Sequence, residues 1–244
     1  MLFQILRSGG TLGQKILSLL LLIISVVPAL VLHEYAHGYA AYKLGDKTAK
    51  ADGRLSLNPL NHLDPIGTLM LLIVGFGWAK PVPVITRNFK KPRRDLAIVA
   101  AAGPLMNFLV AFAAMMLYML TAILGYKFLG PVYANNVTVS IICEIFLNLA
   151  YLSVGLGLFN LIPLPPLDGS NILMCLLPPR AAAKYSNIRY YTRYIFLGLI
   201  VLSWLPYPIS LVGDYIWMPL TWLQRNIISG FSDFWGMIFE AILL

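Results

Sequence analysis

Residues 33 to 37 read His-Glu-Tyr-Ala-His and stand at the end of an uncharged apolar run. On a helix, positions four apart share a face, so His33 and His37 can grip one metal ion with two imidazoles. Glu34 lies beside them, placed to take a proton from water that the metal activates. The chain holds only 3 histidines, and two of them fall in this motif, so a chance match is improbable. The competing reading is a polar helix end dipping toward lipid headgroups.

A zinc site of this kind needs a third protein ligand and leaves its fourth position to water. Asp168 is the stronger candidate. It follows Asn160-Leu161-Ile162-Pro163-Leu164-Pro165-Pro166-Leu167 and precedes Gly169. Prolines at 163, 165 and 166 must interrupt a helix there, freeing backbone groups and unwinding the chain. A carboxylate at such a break is a metal ligand or an N-cap for the helix starting near Ser170, and both can hold. An ionisable residue inside an apolar segment marks function by default, which favours the ligand. His62, in a loop beside Asn61 and Asp64, is a weak candidate and reads as a solvated loop residue. Cys143 and Cys175 both lie in apolar segments and read as buried thiols, not as a disulfide or metal pair.

The elements that must position these groups are apolar. Hydrophobic residues make up 59% of the chain and charged residues 11%, with a mean hydropathy of +0.77, far from a soluble average. Uncharged runs cover Ile16 to Leu32, Leu96 to Tyr126, Ile145 to Leu167 and Tyr194 to Gly213. A bilayer core takes about twenty apolar residues per helix, so these runs predict four spans. The first run flows into the histidine motif without a small-residue cleavage site, which argues against a signal peptide. The chain reads as an all-α multi-pass membrane protein.

A net charge of +8 raises the possibility of nucleic acid, but the placement of charge excludes it. Ten of the 18 Lys and Arg residues lie between Lys43 and Arg94, and Arg180, Lys184, Arg189 and Arg193 lie between the third and fourth runs. The positive-inside rule puts both connections in the cytoplasm and the 125–138 loop outside. The histidine motif then falls near the cytoplasmic end of the first span of a cell-membrane protein.

Within the first connection, Asp52 to Pro59 alternates polar and apolar residues before turn residues and predicts a short strand. Thr68 to Val74 is apolar but too short to span, and Gly75-Phe76-Gly77-Trp78 breaks it, so it reads as re-entrant or interfacial. Lys80-Pro81-Val82-Pro83-Val84 predicts an extended segment, since each proline biases its predecessor away from helix. Irregular backbone at membrane depth has to line a cavity or be buried in protein. The last forty residues mix Trp217, Trp222 and Trp235 with Asp214, Asp233 and Glu240, the profile of interfacial or aromatic-belt helices. One domain is expected over 1–244, with a core over about 12–175 and a C-terminal span and interfacial helices over about 190–244.

Together, His33-Glu34-Tyr35-Ala36-His37 and Asn160-Leu161-Ile162-Pro163-Leu164-Pro165-Pro166-Leu167-Asp168-Gly169 resemble the two signatures of the site-2 protease family of intramembrane zinc metalloproteases. Gly103-Pro104-Leu105-Met106-Asn107 and Gly75-Phe76-Gly77 also match, and the likeness covers roughly residues 20 to 175. The resemblance implies a three-helix catalytic core in which His33, His37 and Asp168 bind zinc and Glu34 is the base. It implies transmembrane protein substrates, with Asn160, Asn107 and the Gly75-Phe76-Gly77 stretch helping to present an unwound substrate strand. The chain would be a compact member without an added sensor domain. The charges agree with that site, because zinc at +2 is balanced by Asp168 and an ionised Glu34, and a neutral cluster is far cheaper at membrane depth than a bare cation.

Two other classes make different demands. A membrane metal transporter would repeat its ligands in related halves, and the chain has no second histidine motif. An inactive scaffold that merely binds membrane helices would have lost Glu34 or a ligand, and all four residues are present.

Overall fold

The computed structural model describes residues 9–74, 79–202 and 210–243, and these are predominantly helical. Helix α1 (Leu12–Lys43) opens on a reciprocal cap, in which Thr11 Oγ accepts from the Gln14 N–H and Gln14 Oε1 accepts from the Thr11 N–H. Helix α2 (Pro65–Val74) is short; α3 (Pro92–Leu129) starts on a proline, whose missing N–H costs nothing in a first turn. Helix α4 (Val137–Asn160) is capped by the Asn136 side chain, which accepts from the Val139 N–H at 3.1 Å. Helices α5 (Asp168–Leu176), α6 (Pro179–Leu202) and α7 (Ser210–Leu243) complete the order.

Among the described residues, three helices are long and apolar enough to cross a membrane: α1, α3 with the turn that follows it, and α4. They form one bundle in which α3 packs against α4 and α1 packs against both. Small residues make this approach possible: Ala111 and Ala150 are fully buried and Ala114 nearly so. Where lipid replaces water, such close contact and interhelical hydrogen bonds hold helices together. Ser25 supplies one, its hydroxyl donating to Leu21 O in its own helix and to Ile145 O across the interface at 3.1 Å. Leu20, Ile24, Leu105 and Leu109 face outward from the bundle, an apolar exterior suited to hydrocarbon.

Helix α7 lays Ile228 into the same core. Trp235 Nε1–H donates to Phe112 O on α3 at 3.0 Å, and the Gln224 amide donates to Tyr151 O on α4 at 2.7 Å. The expected fourth span, Tyr194 to Gly213, runs through residues 203–209, which lie outside the described residues.

The connection between α1 and α3 departs from its sequence pattern in two places. Residues 52–58 form turns and coil instead of a strand and Pro59 opens a short 3-10 helix, and the one β pairing among the described residues is an isolated bridge between Leu63 and Ala79. A strand needs a neighbour along its length, and here local partners take its groups: the Asn58 side chain accepts from the Leu60 N–H, and Ser56 O accepts from His62 Nε2–H at 2.6 Å. His62 is therefore not a solvated loop residue. It is fully buried, pinned between Ser56 O and the Lys80 N–H, which donates to His62 O at 2.7 Å.

The segment expected to be extended, Lys80 to Val84, has no regular secondary structure, and side-chain hydrogen bonds hold it and its neighbours. Arg54 donates to Lys80 O and Pro81 O at 2.7 and 2.9 Å. Asp46, fully buried just beyond α1, accepts from the Ile85 N–H and the Asn88 amide at 2.7 and 2.8 Å. Gly75, Phe76 and Gly77 lie outside the described residues.

Candidate metal centre

His33 and His37 sit on one face of α1, and that face is covered by α3. Position 103 on α3 is glycine for a steric reason. A Cβ there would lie 2.4 Å from His37 Nε2 and 2.7 Å from His33 Cε1, so only glycine lets α3 pass against both rings. Each ring is fixed at its other nitrogen. His37 Nδ1–H donates to Val99 O at 2.7 Å, and His33 Nδ1 lies 3.0 Å from the amide nitrogen of Asn107. Both partners come from α3, so one helix supplies the gap and the two orienting groups.

Asp168 arrives from a separate segment of the chain. After α4 ends at Asn160, the proline-rich stretch turns the chain back and α5 begins at Asp168 itself. The N-cap is Leu167, with no side-chain capping bond, so Asp168 is not spent on the helix end. Gly169 makes the turn possible, since a Cβ would stand 2.2 Å from Leu161 O. Asp168 Oδ2 then lies 3.2 Å from His33 Nε2 and 3.2 Å from His37 Nε2, and the two nitrogens are 3.1 Å apart.

These three atoms fit a metal. With Nδ1–H of His37 donating to a carbonyl, its Nε2 carries a lone pair, and the same tautomer of His33 leaves three lone pairs facing one point. Asp168 Oδ2 is buried there without a hydrogen-bond donor, which is costly unless a cation sits among the three. Tetrahedral zinc with bonds of about 2.0–2.1 Å sets its ligand atoms roughly 3.3 Å apart, close to the spacing found here. Among the described residues this is the one cluster of its kind, and His62 stands outside it.

The centre opens into a cavity of about 540 Å³. Glu34 and Asn160 line it with the three ligand candidates, and Pro81, Val82 and Val84 form one side. Glu34 Oε2 accepts from the Val82 N–H at 3.1 Å, which orients the carboxylate and ties the 81–85 segment to α1. Asn160 donates its amide to Leu156 O one turn back, at 3.0 Å. Asn107, expected to touch substrate, does not line this cavity; it is fully buried behind His33. Gly103 is the site residue whose role sequence reasoning missed: it was matched as part of a motif, but its reason is a contact between helices.

Two histidines and a carboxylate face one point, with a second carboxylate beside them in a helical bundle, a donor set of the kind that zinc metallopeptidases use. Residues 19–203 match the model of Peptidase family M50, and the chain belongs to that family, which bears out the resemblance to site-2 proteases. It is similar to "Putative zinc metalloprotease YwhC" of Bacillus subtilis (strain 168), with 42% identity over 91% of this chain and 94% of the relative. "Putative zinc metalloprotease Rip2" of Mycolicibacterium smegmatis is 26% identical over 75% of this chain and 67% of its own length. Its namesake in Mycobacterium tuberculosis (strain ATCC 25618 / H37Rv) is 29% identical over 71% and 63%. No solved structure gives a significant match. The expected cofactor, zinc, is borne out by the family and these relatives.

Proposed function

We propose that the chain is an intramembrane zinc metalloprotease that hydrolyses peptide bonds in or near transmembrane segments of membrane-protein substrates. The observation that carries this reading is the convergence of His33 Nε2, His37 Nε2 and Asp168 Oδ2 on one point of a cavity that Glu34 also lines. In this reading the first three hold zinc and Glu34 is the base.

When bound, zinc would supply the Lewis acidity that makes water a nucleophile near neutral pH. Glu34 takes the proton from that water and passes it to the leaving amine, with one carboxylate oxygen already held by the Val82 N–H. Val99 O keeps His37 in the ligand tautomer, and Asn107, with its amide turned so that Oδ1 faces the ring, would do the same for His33. The 81–84 segment lies beside the base; side chains engage Pro81 O and the Val82 N–H, but its backbone has no strand partner, leaving an edge along which an unwound substrate strand can lie.

The chain on this reading is a multi-pass protein of the cell membrane, organised as one domain whose partners are membrane proteins and lipid. The basic connections 43–94 and 180–193 put the active site toward the cytoplasm. The test is cleavage of a single-span substrate by the purified protein in detergent. Cleavage abolished by a chelator and restored by zinc is the expected result; cleavage indifferent to chelation would overturn it.

A further inference from the structure

Six polar side chains line the cavity: His33, Glu34, His37, Asn160, Asp168 and Asn171. Four of these are the candidate ligands and base. The two that remain are carboxamides, and they differ. Asn160 is committed, its nitrogen donating to Leu156 O within its own helix. Asn171 is half-buried and has no hydrogen-bond partner among the described residues.

Its placement follows from the helix. Asn171 lies three residues after Asp168, hence on the same face of α5 and about 4.5 Å further along it. The platform is held at both ends. Gly169 is wedged against Leu161 O, and Arg93 donates to Met174 O and Cys175 O at the far end at 3.3 and 3.2 Å. A free amide on a fixed helix, one turn from the metal candidates, offers one acceptor and two donors to whatever fills the cavity. That pattern matches the paired N–H and C=O that an extended peptide exposes once its helix is unwound.

We propose that Asn171 is a substrate-binding residue whose carboxamide hydrogen-bonds the main chain of the unwound substrate next to the scissile bond. This rests on the protease reading above. It gives the site a way to recognise extended backbone irrespective of side-chain sequence, from the wall formed by α5.

The experiment uses the full chain in detergent with a synthetic peptide substrate and a series in which single amides near the cut are replaced by esters. Asn171→Leu is expected to lower kcat/KM by roughly 10- to 100-fold, the size of one lost hydrogen bond in a partly desolvated site. Zinc content and melting temperature should stay at wild-type values. One ester position should cost the wild type about tenfold and cost Asn171→Leu nothing further, because the partner is already gone. Asn171→Ala, which only shortens the side chain, carries the same expectations where the leucine variant does not fold. Unchanged cleavage in these variants overturns the proposal. So does loss of zinc or of folding in both, which marks a structural role, and so does an ester penalty equal in wild type and variant. A wild type that cleaves no peptide overturns the protease reading itself, and this proposal falls with it.

Discussion

Asn107 stands behind His33, fully buried, with its amide nitrogen 3.0 Å from Nδ1 of the ring and its Oδ1 without a partner. A histidine that binds metal through Nε2 carries its proton on Nδ1 and needs an acceptor there. A half-turn of the Asn107 amide brings Oδ1 to that position and converts the contact into an Nδ1–H donation. The residue thus acts on the metal through the ring it orients.

Replacing Asn107 with leucine should therefore weaken zinc binding by about 10- to 100-fold, the usual penalty for losing an outer partner of a metal ligand. Asn107→Asp, which keeps an acceptor, should lose less. Competition with a zinc-binding dye on the purified variants measures this, and wild-type affinity in Asn107→Leu would remove the orienting role.

Gly103→Ala puts a methyl 2.4 Å from His37 Nε2, and the ring cannot yield without leaving Val99 O. Zinc content and cleavage should both fall by at least about tenfold. Gly230 in α7 is the control, since a Cβ there meets nothing within 4 Å. Gly230→Ala should leave activity intact and raise stability by up to about 1 kcal/mol. Equal behaviour of the two variants would contradict the close approach of α3 to the rings.

Glu34 and Asp168 are both carboxylates of the cavity, and their amide variants should part company. Glu34→Gln keeps an oxygen for the Val82 N–H but cannot take a proton, so cleavage should vanish while zinc stays near one per chain. Asp168→Asn and Asp168→Ala should both lose zinc together with activity, because α5 is capped at Leu167 and does not draw on the Asp168 side chain. Residual proteolysis in Glu34→Gln, or full metal in Asp168→Asn, would reassign that residue.

Asp46 predicts a pH dependence of stability in the connection that borders the site. Burial alone would raise its pKa, but hydrogen bonds from the Thr48 hydroxyl, the Ile85 N–H, the Asn88 amide and the Thr48 N–H outweigh burial and hold it below the ordinary carboxylate range. A depressed folded-state value stabilises the fold above the unfolded pKa of about 3.9, and that contribution is lost as pH falls through the lower folded value. Melting temperature should thus drop on acidification from pH 5 toward 3, and the drop should be smaller in Asp46→Asn. Parallel curves for the two proteins would assign the acid sensitivity elsewhere.

From sequence alone, the groups that lie close along the chain were legible. Two histidines four apart share a helix face whatever surrounds them, a glutamate between them stays beside them, and clustered prolines end a helix wherever they occur. Three of the four long uncharged runs fall in helices that, among the described residues, are long and apolar enough to cross a membrane, for the same local reason. Asp168 could be nominated as a ligand from the break it occupies, yet its distance of 3.2 Å from both imidazoles is a property of how α5 packs on α3 beside the histidine face of α1. The tertiary structure also decided that position 103 has no room for a side chain, that Asn107 stands behind a ring and not in the cleft, and that His62 is buried. The alternation over residues 52–59 pointed to a strand because periodicity records which side chains share a face, but a strand exists only where another backbone pairs with it, and here nearby side chains and turns took those groups instead.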